Sequence, residues 1–331
     1  MRLGVVIGND PWTFFEDVYQ ELASHHETDI FKQRRIQTPV FHQRVNRSLF
    51  RHDLSAFLRT HDVVFFEWAS DLLIAASRLP KQCRVVTRLH RYELFQWAPK
   101  INWGVVDRII LVSQAMKRNF VAQFPDQEQK TIVLPVGVSM EKFQWREKSF
   151  NGDIGLLCHL TPRKRVYDLI LAFFTILSER NDLHLHIGGA VPDGNEDYYD
   201  ALQKLVERLN LCDKVIFYGK ITDSASWYRN IDIFVSNSFA EGLQVAPMEA
   251  MASGCYTISH HWDGAEELVP QANLFLTNDE LRECILRYCD ATEAERRQQR
   301  EAMRAIVLER FDLDRVRRQI RGIVEELGPL A

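Results

Sequence analysis

Apolar residues along the chain fall into short runs, separated by longer stretches in which they recur at every third or fourth position. LGVVIG (3–8), DVVFFEW (62–68), RVVTRL (84–89), DRIILVS (107–113) and TIVLPV (131–136) have the length and Val/Ile content of buried strands. Alternating with helical segments, such runs predict a parallel sheet with crossover helices. The polar stretch SMEKFQWREKSFNGD (139–153) breaks the rhythm and reads as a linker. The pattern then restarts with DIGLLCHL (153–160), LHLHIGG (183–189), KVIFYG (214–219), DIFVSN (232–237) and CYTISH (255–260). VYDLILAFFTILSER, EDYYDALQKLVERLN and APMEAMASG lie between them with helical spacing, the last ending in a Ser-Gly stop. Residues 280–327 read as nearly continuous helix in three pieces, with AERRQQREAMRAIVLERF as a solvated, charge-laced helix. The chain has 331 residues, about twice a usual domain. The expectation is two doubly wound α/β domains, with ligands beyond the carboxyl ends of the strands and in the cleft between the domains.

Charge and composition narrow the function classes. A net charge of −4 gives no electrostatic footprint for nucleic acid. The six cysteines are scattered without a C-x-x-C, the usage of reduced thiols in a cytoplasmic protein. The first apolar run is too short for a signal peptide, and no run reaches the roughly 20 residues that span a bilayer. Any membrane contact would then be peripheral, at the inner face of the membrane.

The segment AEGLQVAPMEAMASG (240–254) carries the chemistry. Glu241 falls on the loop after DIFVSN, and Glu249 one to two turns into the following helix. Backbone N–H groups around Gly242, Leu243 and Gln244 would form an anion site suited to a diphosphate. A carboxylate accepts both protons of a vicinal diol, and a nucleotide sugar carries hydroxyls on either side of its diphosphate. On these residues alone, an exposed loop Glu favoured by the helix dipole plus a surface helix Glu is the better explanation of the pair.

FAEGLQVAPMEAMASGCYTIS...GAEELV resembles the family 4 glycosyltransferases of the GT-B fold, which carry E-x7-E before an EAMA-G helix. VDRIILVSQAMKRNF, VLPVGVSMEKF, LTPRKRVYDLILAF and FYGKITDSASWYRNIDIFVSNS are similar to further segments of that family, in the same order over almost the whole chain. The resemblance implies two facing Rossmann-like domains with a cleft between them. Residues 1–145 would be the acceptor side, with helix 311–331 crossing back to it, and residues 151–310 the donor side. It also implies a retaining, metal-independent hexosyltransferase without a cofactor. Such an enzyme moves a sugar from a nucleoside-diphosphate sugar to a sugar or lipid-linked acceptor, in glycan, glycolipid or polysaccharide biosynthesis.

The implied roles are specific. Glu241 contacts the donor sugar and Glu249 holds the ribose diol, with Gly242, Leu243, Gln244 and Gly8 also on the donor. Lys164, with Arg163 beside it, neutralises the leaving diphosphate. His90, in TRLHRYELF, matches a T-x-H segment that faces the transferred sugar, with Arg88 and Glu93 near it. Trp12, Trp68, Trp97 and Trp103 are core residues or sugar-stacking rings. RKR (163–165) reads as a basic helix start, unfavourable against the dipole unless an anion binds there. DLD (312–314) reads as a helix cap rather than a metal site.

Departures from the family pattern are Val136 and Ser139 in place of Asn and Asp, Cys158 and His159 in place of Gly and Arg, Arg165 in place of Gly, and a first loop reduced to GNDPW (8–12). They leave room for a non-catalytic sugar-nucleotide-binding subunit with a decayed site. A dinucleotide-dependent oxidoreductase would need G-x-G-x-x-G after a first strand, and neither IGND nor LCHLTPR supplies it.

Overall fold

The computed structural model describes residues 1–8, 12, 15–34 and 42–330, with the backbone alone for 42–44. The chain divides into two compact units, Met1–Val136 with Asp314–Ala331, and Gly137–Leu313. The first contains β1 (Arg2–Val6), α1 (Glu16–His25), β2 (Glu27–Ile30), α2 (His42–Thr60), β3 (Val63–Glu67), α3 (Asp71–Ala76), β4 (Arg84–Leu89), α4 (Arg91–Gln96), β5 (Arg108–Leu111), α5 (Gln114–Gln123) and β6 (Thr131–Val133). The second contains β7 (Asp153–Leu157), α6 (Val166–Ile176), β8 (His184–Gly188), α7 (Glu196–Arg208), β9 (Val215–Gly219), α8 (Ser224–Tyr228), β10 (Ile233–Ser236), α9 (Val245–Ala252), β11 (Tyr256–His260), β12 (Leu274–Phe275), α10 (Asn278–Asp290) and α11 (Glu293–Arg310). The last helix, α12 (Leu313–Leu327), returns to the first unit.

In the first unit the strand order is β2-β1-β3-β4-β5-β6, with parallel pairing throughout. β3 is buried at every position, as expected of a strand covered on both faces. β2 was not legible: ETDI is a half-exposed edge strand without an apolar run. The one-faced pattern of α12 buries Val316, Ile320, Ile323 and Val324 with Leu3, Val5, Val63 and Phe65.

In the second unit the order is β12-β11-β10-β7-β8-β9, again parallel. The sheet starts in the middle at β7, runs outward to β9, then returns to place β10 on the other side of β7. β12 has two residues, too few for a pattern to show. Residues 137–152 are folded onto this unit rather than strung out as a linker. Val138 and Phe143 are buried in its core, and the Val138 N–H donates to the Phe311 carbonyl at 2.7 Å. Trp145 lies under Gly254, where φ is +89° and a Cβ would stand 2.9 Å from the indole. The breaks in the carboxyl-terminal helical stretch are set by capping boxes, Thr277 with Glu280 before α10 and Thr292 with Glu295 before α11. Asp312 pairs with Val138 in an isolated bridge just before α12.

Because Ile320 is fully buried between α12 and the first sheet, Ile320→Ala is expected to cost about 2–5 kcal/mol. Urea unfolding of the full chain, followed by far-UV circular dichroism and tryptophan fluorescence, checks this. An unchanged midpoint would show that the helix contributes nothing to that core.

Candidate functional site

In an open parallel sheet, the loops that leave neighbouring strands in opposite directions open a crevice at the point where the strand order reverses. In the second unit that point lies between β7 and β10, which pair in register Ile233 to Ile154 and Phe234 to Gly155. The two loops concerned are Cys158–Arg165, after β7, and Asn237–Gln244, after β10. Every donor-side residue read from the sequence, except Gly8 and Glu249, lies on one of them.

The loops are laced together by hydrogen bonds to backbone carbonyls. Buried Asn237 donates its amide to the Arg165 carbonyl at 2.8 Å, and the Phe239 N–H reaches the Arg163 carbonyl at 3.2 Å. Arg163 Nη1 donates to the Ala240 carbonyl at 2.7 Å. This lacing carries three charges into contact. Lys164 Nζ is 2.5 Å from Glu241 Oε1, and Arg163 Nη1 is 2.8 Å from Glu241 Oε2. Burial pushes the Glu241 carboxyl up, but Lys164 and Arg163 outweigh it and hold the group below the usual carboxylate range. Lys164 is itself buried, so its desolvated charge depends on Glu241 as its anionic partner.

The basic RKR stretch does not start the helix. Pro162–Lys164 form a 3-10 turn, and Arg165 caps α6 with φ +51°. That left-handed backbone is natural to glycine, which is what the related pattern carries at this position. Arg165 instead anchors to Asp168 at 3.1 Å and presents its carbonyl to Asn237. Cys158 is tight against Gly189, where a Cβ would stand 1.6 Å from the Cys158 carbonyl oxygen. Burial pushes the Cys158 thiol up to about 12, so it offers no thiolate. Burial, with Lys164 and Arg163 nearby, pushes His159 down and keeps it neutral.

Gly242 and Leu243 form the turn entering α9, and Gln244 is its N-cap residue. The Gln244 side chain turns back to accept from the Ser236 hydroxyl rather than capping the helix. Glu249 sits in the second turn, half-buried, and accepts from the Tyr228 hydroxyl at 3.1 Å. Burial pushes its carboxyl up, the opposite direction from Glu241. The two glutamates do not touch. The sequence reading gives Tyr228 no role, although the residue lies in the family-like segment FYGKITDSASWYRNIDIFVSNS.

In the first unit, His90 follows β4 directly and precedes α4. Its Nε2 lies 3.2 Å from Glu67 Oε1, and Arg88 clamps the same carboxylate through Nη2 at 2.7 Å and Nε at 2.9 Å. Glu67 was not anticipated, although a carboxylate ending an otherwise apolar strand is a visible signal. Trp68 covers the His90 ring at 4.3 Å from a backbone with φ +69°. Glu93 is buried, accepts the His90 N–H at 3.3 Å, and is pushed up by burial. Trp103 is a core residue against Phe120, and Trp12 packs on Tyr19 and Phe15. Trp97 carries Lys100 over its ring at 4.5 Å. Gly8 takes φ +68°, and residues 9–11 of the first loop lie outside the described residues. Among the described residues, no group of three His, Cys, Asp or Glu side chains could hold a metal ion.

Residues 152–290 match the family model described as glycosyl transferases group 1. The mannosylfructose-phosphate synthase of Agrobacterium fabrum is 30% identical over 156 residues, 45% of this chain and 34% of that protein. The alpha-monoglucosyldiacylglycerol synthase of Streptococcus pneumoniae is 26% identical over 172 residues, 47% of this chain and 37% of that protein. The chain thus spans about a third of the length of these curated relatives. Among solved structures, Anabaena HepE in complex with UDP superposes with a TM-score of 0.80 at 20% identity, covering 98% of this chain and 100% of that one. Sucrose-phosphate synthase from Thermosynechococcus elongatus gives 0.75 at 14% identity, covering 99% of each chain. The two parallel-sheet units have the GT-B fold, and the segment that builds the β7–β10 crevice carries the sequence pattern of the group 1 glycosyl transferases.

Proposed function

We propose that the chain is a retaining glycosyltransferase that takes a sugar from a nucleoside-diphosphate sugar, a hexose from a UDP-sugar in the first instance. The observation that carries this is the convergence of Lys164 and Arg163 on Glu241 at the β7–β10 switch point, inside the family-matched segment. A departing nucleoside diphosphate develops negative charge, and fixed cations stabilise it. On binding, the diphosphate replaces Glu241 as the partner of both cations, which frees Glu241 for the sugar hydroxyls. Glu249 takes the ribose diol. The bond from the anomeric carbon to the phosphate oxygen breaks as the bond to the acceptor oxygen forms on the same face. The leaving phosphate oxygen receives the acceptor proton, and Lys164, Arg163 and the helix-end amides take the place a metal cation would have on the diphosphate.

HepE has been solved with UDP-glucose, and relatives named for a sugar-phosphate and a diacylglycerol product support a sugar or lipid acceptor. His90, held by Glu67, is the acceptor-side candidate in the first unit. The proposed setting is the cytoplasm, with peripheral membrane contact and no nucleic acid. Exposed Tyr92 and Phe95 on α4, with Arg91 over the Phe95 ring at 5.0 Å, support that contact.

Three measurements bear on this reading. Lys164→Ala should lower turnover by roughly a hundredfold, read as nucleoside-diphosphate release, with the circular dichroism spectrum unchanged. Near-normal turnover would move the role away from Lys164. Glu249→Gln should weaken free UDP and UDP-sugar alike, whereas Glu241→Gln should lower transfer without weakening free UDP, because it removes the anion with which the diphosphate competes for Lys164 and Arg163. Calorimetry showing equal losses of UDP affinity would exchange or cancel these roles. Co-sedimentation with phosphatidylglycerol vesicles should fall in Tyr92→Ser/Phe95→Ser, and unchanged binding would rule out that face as the contact.

A further inference from the structure

We propose that Tyr228 is a positioning residue that aims the Glu249 carboxylate at the ribose diol and thereby sets the preference for ribonucleotides over deoxyribonucleotides. The inference rests on the reading of Glu249 as the ribose-binding carboxylate.

Tyr228 is fully buried at the end of α8, and its ring is wedged among Trp227, Phe234 and Phe143 at centroid distances of 5.4, 5.7 and 6.1 Å. Its carbonyl accepts from Lys148 Nζ and Cys255 Sγ, both at 3.4 Å. Ring and backbone are therefore fixed, and the hydroxyl has one place to point. It points at Glu249 Oε2, 3.1 Å away. Glu249, in contrast, is a long side chain on a helix face with several rotamers. Among the described residues, Tyr228 is the one hydrogen-bond partner of its carboxylate.

The geometry of acceptance follows from lone pairs. A carboxylate has about four acceptor positions, and the phenol uses one of them on Oε2. Three remain, enough for both protons of a vicinal diol. A carboxylate pinned at one oxygen keeps its orientation when the ligand arrives, so less ordering is left for binding. A 2′-deoxy sugar would leave one of the aimed acceptors unmatched. Sites built to hydrogen-bond a hydroxyl reject the analogue that lacks it.

The same contact links binding to pH. The groups acting on Glu249 are Tyr228 from α8 and Lys142 from the segment before β7. α11, packed along α9, directs Arg304 to the Ala252 and Phe143 carbonyls instead, and Cys255 at the entry to β11 faces the Tyr228 carbonyl. Burial raises the Glu249 carboxyl, and the Tyr228 hydrogen bond partly restrains that rise. Only the ionised form accepts both diol protons. Affinity is therefore lost as pH falls through the Glu249 titration, and removing the phenol moves that loss to higher pH.

The experiment compares UDP with 2′-deoxy-UDP by calorimetry across pH, on the full chain, with ADP and GDP pairs run alongside. Wild-type protein should prefer the ribonucleotide by about tenfold or more, the scale of a hydrogen bond to a charged group. Tyr228→Phe keeps the ring and should cut that preference several-fold while shifting the acid limb of UDP affinity upward. In a Glu249→Gln background, Tyr228→Phe should have no further effect on UDP affinity, because it acts through the carboxylate. An equal loss in both backgrounds would mean a packing role and overturn the proposal, as would a Tyr228→Phe protein with unaltered discrimination and acid limb. Absence of any ribose preference in the wild type would overturn the reading of Glu249 itself.

Discussion

The parallel pairing of β7 with β10 is the contact on which the second unit depends, and it is fastened at both ends. At the entry, the buried Asp232 carboxylate accepts the N–H groups of Asn151, Gly152 and Asp153 at 2.8, 2.9 and 3.1 Å, holding the start of β7 to the start of β10. At the exit, Asn237 and Phe239 hold the following loops together. In between, Gly155 leaves room for Ile231 and Trp227, which would lie 2.7 and 2.8 Å from a Cβ there. A side chain at that point would push the layer below the sheet away, and the two loops above would lose their common base.

On that base, one segment gives two carboxylates opposite characters. Both Glu241 and Glu249 are largely withdrawn from water, and both are pushed up by burial. Glu241 has two cations within hydrogen-bond distance and ends below its ordinary range; Glu249 has one neutral phenol and ends above it. Removing either cation would leave a buried charge only partly compensated, which is far more costly than an exposed ion pair is worth. In the proposed function the Lys164–Glu241 pair is mutual storage: each ion keeps the other in place until a ligand with both negative charge and hydroxyl groups satisfies them separately.

Much of this was legible in the sequence, because runs such as DVVFFEW and DIFVSN can only be buried strands and the loops after them must carry whatever chemistry exists. The misses have physical reasons. β2 and β12 lie toward or at sheet edges, where short or mixed sequence suffices. RKR looked like a helix start because a left-handed arginine cannot be anticipated from residue type. Residues 139–153 read as a linker because their polar composition hides the aromatics Phe143, Trp145 and Phe150, which tie the segment to the second unit. Tyr228 and Glu67 act through partners 21 and 23 residues away, and nothing local announces such a meeting.

The first unit shows the same logic in a different form. Burial opposes the charge on Glu67, yet Arg88 and His90 hold the carboxyl below its usual range, so it is an acceptor and not a donor. The proton between Glu67 and His90 Nε2 must then reside on the imidazole, which fixes the tautomer and the ring orientation together. Trp68 completes the arrangement by closing one face of the ring, and does so from a backbone conformation that a bulky residue rarely adopts. Strain of that kind persists where the surroundings over-determine it. Here the surroundings are the Glu67–Arg88 clamp on one side and the aromatic core of Phe15 and Phe65 on the other. An imidazole held this firmly at a strand's carboxyl end is suited to a fixed contact with a ligand rather than to shuttling protons.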